Sequence, residues 1–133
     1  MEKGVVLVKP AQRIIDVSSG AMTREVGVSA STAGSSGIFM VLATIPPGQC
    51  SSPHWHTNCE SAIYVLRGHG LFMVGSDLNE ALAIGPGDCI YVPPGAIHQP
   101  INQGTEPLEL VVARNTQEEI VVEYDPALAG GSG

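Results

Sequence analysis

Apolar and polar residues alternate in short runs along this chain, and clusters of turn residues separate many of the runs. Residues two apart on an extended strand share a face, so alternation predicts half-buried β-strands. No segment keeps apolar residues at helical spacing over a useful length. The predicted strands are Val5–Val8, Arg13–Val17, Arg24–Val28, Ile38–Ile45, Ser61–Leu66, Leu71–Val74, Ala81–Ile84, Cys89–Val92, Leu108–Arg114 and Glu119–Glu123.

The turn signals support an all-β fold. Glycine and proline mark breaks at 46–48, 68–70, 85–88 and 93–95. Many short strands with a turn about every eight to twelve residues are typical of an antiparallel barrel or sandwich. No internal repeat is visible, which makes a solenoid or propeller an unfavourable alternative. We predict a small antiparallel β-barrel, with Ser29–Gly37 as a mobile loop.

Composition agrees with this fold class and narrows the partners. The chain has 133 residues, 44% apolar but only 5% aromatic, with 16 Gly and 10 Pro, which favours short strands rich in aliphatic side chains. The formal net charge is −7, and the six Lys and Arg are scattered, so we expect no nucleic-acid partner. No stretch approaches the roughly 20 apolar residues of a membrane span.

The cysteines and the first residues predict a compartment. Cys50, Cys59 and Cys89 are odd in number and fit no zinc module. The apolar run at 5–8 is too short for a signal peptide. We therefore expect free thiols in a reducing cytoplasm.

Four side chains suggest a metal site. His54 and His56 share one face of an extended segment while Trp55 faces the other, Glu60 follows, and His98 starts a later strand. Three nitrogens and one oxygen suit Fe, Mn, Ni, Co or Zn rather than Ca. A bare His-x-His is common, and each histidine alone could be an ordinary surface or core residue. The prediction of one divalent ion per chain depends on the whole group.

Two spaced motifs carry a family resemblance. Gly48-x5-His54-x-His56-x3-Glu60 and Gly87-x5-Pro93-x-Gly95-x2-His98-x3-Asn102 resemble the paired motifs of the cupin superfamily, as found in its small single-domain members. The resemblance covers roughly 38–114. It implies a double-stranded β-helix, or jelly roll, with the four side chains on one metal ion, a turn-shaping role for Asn102 and a homodimer.

One departure from the family pattern concerns Glu60. Seven residues, Ser61–Arg67, separate it from Gly68, one more than the pattern usually has. A β-bulge or shifted turn could absorb the extra residue, or the insertion could aim Glu60 away from the metal. A three-histidine site therefore stays open. Alternation also predicts that Cys59 points away from the ligand face.

The domain prediction is one barrel over 1–126, with its core at 38–114 and a disordered tail at 127–133. The N-terminal strands lie outside that core, so we expect them to pair with a second subunit and cover exposed strand edges.

The leading functional hypothesis is a mononuclear, dioxygenase-like metal enzyme acting on a small organic molecule, since vacant positions beside histidines suit Fe(II) and O2. The alternatives are Lewis-acid isomerase, lyase or decarboxylase chemistry, and a non-catalytic small-molecule binding or sensor domain.

Overall fold

Eleven β-strands provide most of the regular structure in the computed structural model, which describes residues 4–125. A single turn of 3-10 helix, Pro10–Gln12, precedes them, and a four-residue helix, α1, spans Ala30–Ala33. The strands are β1 Ile14–Ser19, β2 Met22–Val28, β3 Phe39–Ile45, β4 His54–His56, β5 Ser61–Arg67, β6 Gly70–Val74, β7 Glu80–Ile84, β8 Cys89–Val92, β9 His98–Ile101, β10 Leu108–Arg114 and β11 Val121–Glu123.

The strands form two antiparallel sheets. One has the order β1-β2-β3-β10-β5-β8 and the other β11-β4-β9-β6-β7. Neighbouring strands are often far apart in sequence, as with β3 and β10, because the chain crosses repeatedly between the sheets. This architecture confirms the predicted small antiparallel barrel of the jelly-roll type. No helix within residues 4–125 is long and apolar enough to cross a membrane.

The core lies between the sheets, on the inward face of each strand. In β3, buried residues alternate with half-buried ones, as the sequence pattern predicts. The largest fully buried side chain is Phe72, on β6. The main core cluster comprises Met22, Ala43, Ile45, Ile63, Val65, Phe72, Ile84, Val92, Leu108 and Leu110.

The glycines of the two motifs serve tight turns. Gly48, Gly87 and Gly95 have φ values of 74°, 94° and 82°. Residues with a Cβ atom rarely adopt this left-handed region, so the motifs select glycine there. Asn102 is fully buried, and its side-chain amide donates to the carbonyls of Ile45 and Glu106. Those bonds fit the turn-shaping role that the resemblance implied.

Two local predictions were wrong. The predicted loop at 29–37 contains α1, because the Ser29 hydroxyl caps the helix by accepting from the Thr32 backbone N–H. The predicted strand Val5–Val8 pairs with no strand of the described chain, and Val5 and Leu7 are exposed. The homodimer that this segment suggested stays a prediction. The predicted tail at 127–133 lies outside the described residues.

The extra residue before Gly68 is absorbed by a β-bulge. Along β5 and β10, Val65 pairs with Leu110, but the next pair is Arg67 with Glu109. Leu66 is therefore the additional residue. The bulge lies at the far end of β5 from Glu60, so it does not itself redirect that side chain.

Candidate metal centre

Strand register brings the two histidine motifs together. His54 on β4 lies directly opposite His98 on β9, and His56 lies two residues farther along the same face of β4. The ligand atoms of the three side chains all lie within 4.8 Å of one another. His54 and His98 are buried. Trp55 does not line the cavity that the histidines face, as alternation predicts.

Hydrogen bonds select the nitrogen that each ring can offer to a metal. His54 Nδ1 lies 2.7 Å from the Ser52 carbonyl oxygen, and His98 Nδ1 lies 2.9 Å from the Ala96 carbonyl oxygen. A carbonyl only accepts, so each Nδ1 must donate its proton. The neutral rings then carry a free lone pair on Nε2. Such backbone bonds to the second ring nitrogen commonly orient metal-binding histidines.

His56 is oriented by a carboxylate instead. Its Nδ1 lies 3.3 Å from Glu119 Oε2, and its buried Nε2 has no hydrogen-bond partner. Strand β11 pairs with β4, with Val121 opposite His56, and this pairing carries Glu119 to the site. An orphaned, buried Nε2 beside two other free Nε2 atoms fits a transition-metal ion that accepts three imidazoles.

Two arginines hold Glu119 in position. Arg24 Nη1 donates to Glu119 Oε1 at 3.0 Å, and Arg114 Nη1 lies 3.1 Å from Glu119 Oε2. Arg24 Nη2 also donates to Asp16 at 2.8 Å, and the Arg114 guanidinium lies 3.7 Å from the centre of the Phe39 ring. Burial raises the pKa of Glu119, but the two guanidinium charges outweigh burial and lower it overall. Glu119 therefore stays an anion at neutral pH.

The histidines face a small, partly open cavity of about 50 Å³ between the sheets. Most of its wall is aliphatic or aromatic, and the Phe72 ring stacks on His98 at a centroid distance of 5.7 Å. An open mouth of about 520 Å³ shares Arg24, His54, Arg114 and Glu119 with the cavity. The Arg–Glu network is therefore part of the wall of both spaces.

Glu60 is not brought to the histidines. Its side chain is exposed, and Glu60 Oε2 accepts a long hydrogen bond of 3.4 Å from Tyr91 on the outer surface. The reason is parity, since Ser61 begins β5 facing the cavity and the preceding residue faces outward. Cys59, predicted to face away, is instead buried with Sγ 3.8 Å from His56 Nδ1. Burial alternates from Cys59 through Glu60 to Ser61, so the prediction for Cys59 failed because it assumed that Glu60 faces the metal.

The pKa of His98 gives the metal-free protein an expected pH dependence. Burial lowers that pKa from 6.5 to about 4, although the bond to Ala96 opposes the shift. The unfolded chain then binds more protons than the folded one between these pH values, so stability falls as pH drops through that window. Between pH 6.5 and pH 4, the free energy of unfolding should fall by about 3 kcal/mol.

Urea unfolding of the metal-free protein at pH 7 and pH 4 is the measurement. In His98→Gln the slope of stability against pH should be shallower than in the parent. Parallel curves for the two proteins would contradict the assignment of this slope to His98.

Sequence reasoning missed Glu119, Arg24 and Arg114, although a signal for the arginines existed. Arg114 has the same parity as the buried Leu108 and Leu110 on β10, and Arg24 has the parity of Met22. A cation at an inward position of an apolar strand indicates a buried ion pair. Nothing in the sequence distinguished Glu119 from its exposed neighbour Glu118.

Comparisons with known proteins agree with the motifs. The model of the Cupin domain family matches residues 41–114. Germin-like protein subfamily T member 3 of Arabidopsis thaliana is 35% identical over 92 residues, covering 66% of this chain and 40% of that protein. The chain therefore spans less than half the length of that curated relative.

Two solved structures extend the likeness. A putative sugar phosphate isomerase from Acidithiobacillus ferrooxidans is 30% identical, with a TM-score of 0.63 over 76% of this chain and 65% of that chain. The polyketide cyclase RemF from Streptomyces resistomycificus has a TM-score of 0.73 over 98% of this chain and 94% of that chain. Its 20% identity supports the fold alone.

Proposed function

Because this chain belongs to the Cupin domain family, we propose that it is a mononuclear metal-dependent enzyme acting on a small organic molecule. The observation that carries the proposal is the convergence of three imidazoles whose Nδ1 atoms are already engaged. The free Nε2 atoms of His54, His56 and His98 would hold the ion. When bound, the ion would supply Lewis acidity and open coordination positions for substrate or O2.

The chain's own residues would prepare the site for that chemistry. Backbone carbonyls hold His54 and His98 in one tautomer, and the Glu119 carboxylate, 3.3 Å from His56 Nδ1, favours a proton on that nitrogen. The apolar wall around Phe72 keeps bulk water from most of the cavity and strengthens electrostatic contacts inside it. Glu60 has no role in this proposal, because its side chain is on the outer surface.

Dioxygenase-like chemistry is our first candidate for the reaction. His54, His56 and His98 would hold an Fe(II) ion through three neutral nitrogens, and that ion would supply open positions for O2 and substrate. The second candidate is Lewis-acid chemistry such as isomerisation. It is supported by the 30% identity to the structure named as a putative sugar phosphate isomerase. A non-catalytic binding or sensor protein with the same metal site is the remaining alternative.

Metal analysis tests the proposal. Untagged protein purified without added metal, and protein exposed to Fe, Mn, Ni, Co or Zn and then desalted, would be analysed by inductively coupled plasma mass spectrometry. We expect one ion per chain. Retained Fe together with oxygen uptake in the presence of small organic molecules would favour the oxygenase, whereas retained Zn would favour Lewis-acid chemistry. Retention of none of the five metals would contradict the proposal.

A further inference from the structure

Unpartnered polar atoms in the wall of the cavity point to the chemistry of its ligand. Among the side chains that the structure describes, four buried nitrogen or oxygen atoms have no hydrogen-bond partner: Arg24 Nε, Ser51 Oγ, His56 Nε2 and Glu119 Oε2. All four residues line the cavity. A buried polar atom without a partner is costly, so such atoms commonly mark a place for water, an ion or a ligand.

Two of these atoms are hydrogen-bond donors that the metal site does not use. Arg24 Nε–H has no acceptor, although both terminal nitrogens of the same guanidinium are engaged by Glu119 and Asp16. The Ser51 hydroxyl belongs to a side chain that is 1% exposed. An arginine N–H only donates, so its missing partner must be an acceptor. Glu119 Oε2, in contrast, already lies within ion-pair distance of Arg114 and His56.

An unpartnered cationic donor in the cavity wall favours a negative ligand. The wall contains the cations Arg24 and Arg114 and the carboxylate of Glu119, while Asp16 pairs with Arg24 from the side of the mouth, so the network as a whole is neutral. The attraction for an anion therefore comes from the Arg24 Nε–H, which has no acceptor. An anion that accepts from this group would be stabilised, because electrostatic attraction is strong where water is scarce.

The mouth limits how much negative charge the ligand carries. Asp16, Glu118, Glu119 and Glu123 line it together with the two arginines, so its own balance is negative. Exposed carboxylates there are partly screened by salt, but they disfavour a dianion such as a phosphate ester more than a monoanion. The cavity is also small, at about 50 Å³.

We propose that the cavity binds the carboxylate of a small monocarboxylic acid, with the Arg24 Nε–H and the Ser51 hydroxyl as its recognition donors. This inference deepens the proposed function by naming a substrate class, and its biological meaning rests on that function. The anion site itself is built from the chain's own residues and exists in the metal-free protein. Arg24 is the specificity-determining residue in this arrangement.

Binding to metal-free protein is the test, with acetate as the probe, the neutral acetamide as its shape control and inorganic phosphate as the competing anion. Isothermal titration calorimetry and the 1H–15N NMR signal of the Arg24 Nε–H report the contact. We expect saturable acetate binding, no binding of acetamide and weaker binding of phosphate. Binding of phosphate in place of acetate, or equal response to acetate and acetamide, would overturn the proposal.

Variants assign the contact to its residues. Arg24→Lys keeps a cation near Glu119 but removes the Nε–H, so acetate affinity should fall about tenfold or more. Arg67→Lys, on an exposed arginine outside the cavity, is the matched control and should bind like the parent. Ser51→Ala is a smaller change and should lower the affinity for acetate severalfold. It can replace Arg24→Lys as the test if that variant folds poorly. Unchanged acetate affinity in a folded Arg24→Lys or Ser51→Ala protein would refute the assignment.

The outcome is independent of metal content. Acetate binding through Arg24 in a protein that retains no metal would support the anion site while the proposed enzyme function failed. Metal retention without acetate binding to the metal-free protein would leave the proposed function standing and remove this inference. Acetate that binds only after metal loading, with equal affinity in Arg24→Lys, would place the anion on the metal and also overturn it.

Discussion

His98→Ala should reduce metal affinity by more than about 100-fold, because loss of a direct ligand exceeds the 10- to 100-fold cost typical of losing an outer partner. The Nε2 of His98 is the contribution of β9 to a cluster whose other members both come from β4. No other histidine of the described chain lies near enough to replace it, since His69 is exposed in a turn against Gly85. Competition with a chromophoric chelator would measure the affinity.

Two control variants make this result specific. His69→Ala removes a histidine outside the cluster, and Glu60→Gln removes a carboxylate that the structure leaves on the outer surface. Both should bind metal like the parent. His98→Gln retains more of the buried volume beside Phe72, so it separates loss of the nitrogen from loss of packing. A folded His98→Ala protein that binds metal as tightly as the parent would refute the site. Weaker metal binding by Glu60→Gln would show that Glu60 is a ligand.

Glu119→Gln should destabilise the metal-free protein by about 1–3 kcal/mol, because it leaves two guanidinium groups facing a neutral amide. This destabilisation is smaller than for a fully buried pair, since the Glu119 side chain is 13% exposed and the Arg24 side chain 17%. Glu118→Gln is the matched control, being adjacent and exposed, and should change stability by less than about 0.5 kcal/mol. Urea unfolding of both variants beside the parent measures the difference.

The same variant has a second, pH-dependent consequence. The lowered pKa of Glu119 means that its stabilising charge is present above its ordinary value of 4.5 and is lost as pH falls through the folded-state value. The stability gap between parent and Glu119→Gln should therefore close in acid. Metal affinity at neutral pH should fall about tenfold, because His56 loses the carboxylate that orients its ring. A constant gap from pH 7 to pH 3, with unchanged metal affinity, would contradict this role.

The fold was predictable because strand periodicity and turn chemistry are local properties. The alternation in β3 follows from neighbouring residues, and so do the positive φ angles of Gly48, Gly87 and Gly95. Where prediction failed, the deciding interaction was not contained in the hydrophobic pattern. The helix at Ala30–Ala33 depends on a side-chain cap from Ser29, and the segment at 5–8 is apolar without having a partner strand in the described chain.

The sequence by itself determined that three histidines belong together, since the parity of β4 orients His54 and His56, and the second motif adds His98. Only the tertiary structure decided which carboxylate lies beside the histidines. Glu60 immediately precedes the inward-facing Ser61 of β5 and faces outward, although its place in the first motif suggested a ligand. Glu119 reaches His56 because β11 pairs with β4, and it meets Arg24 across 95 positions of sequence. Contacts at that separation depend on how strands cross between sheets, which no local pattern encodes.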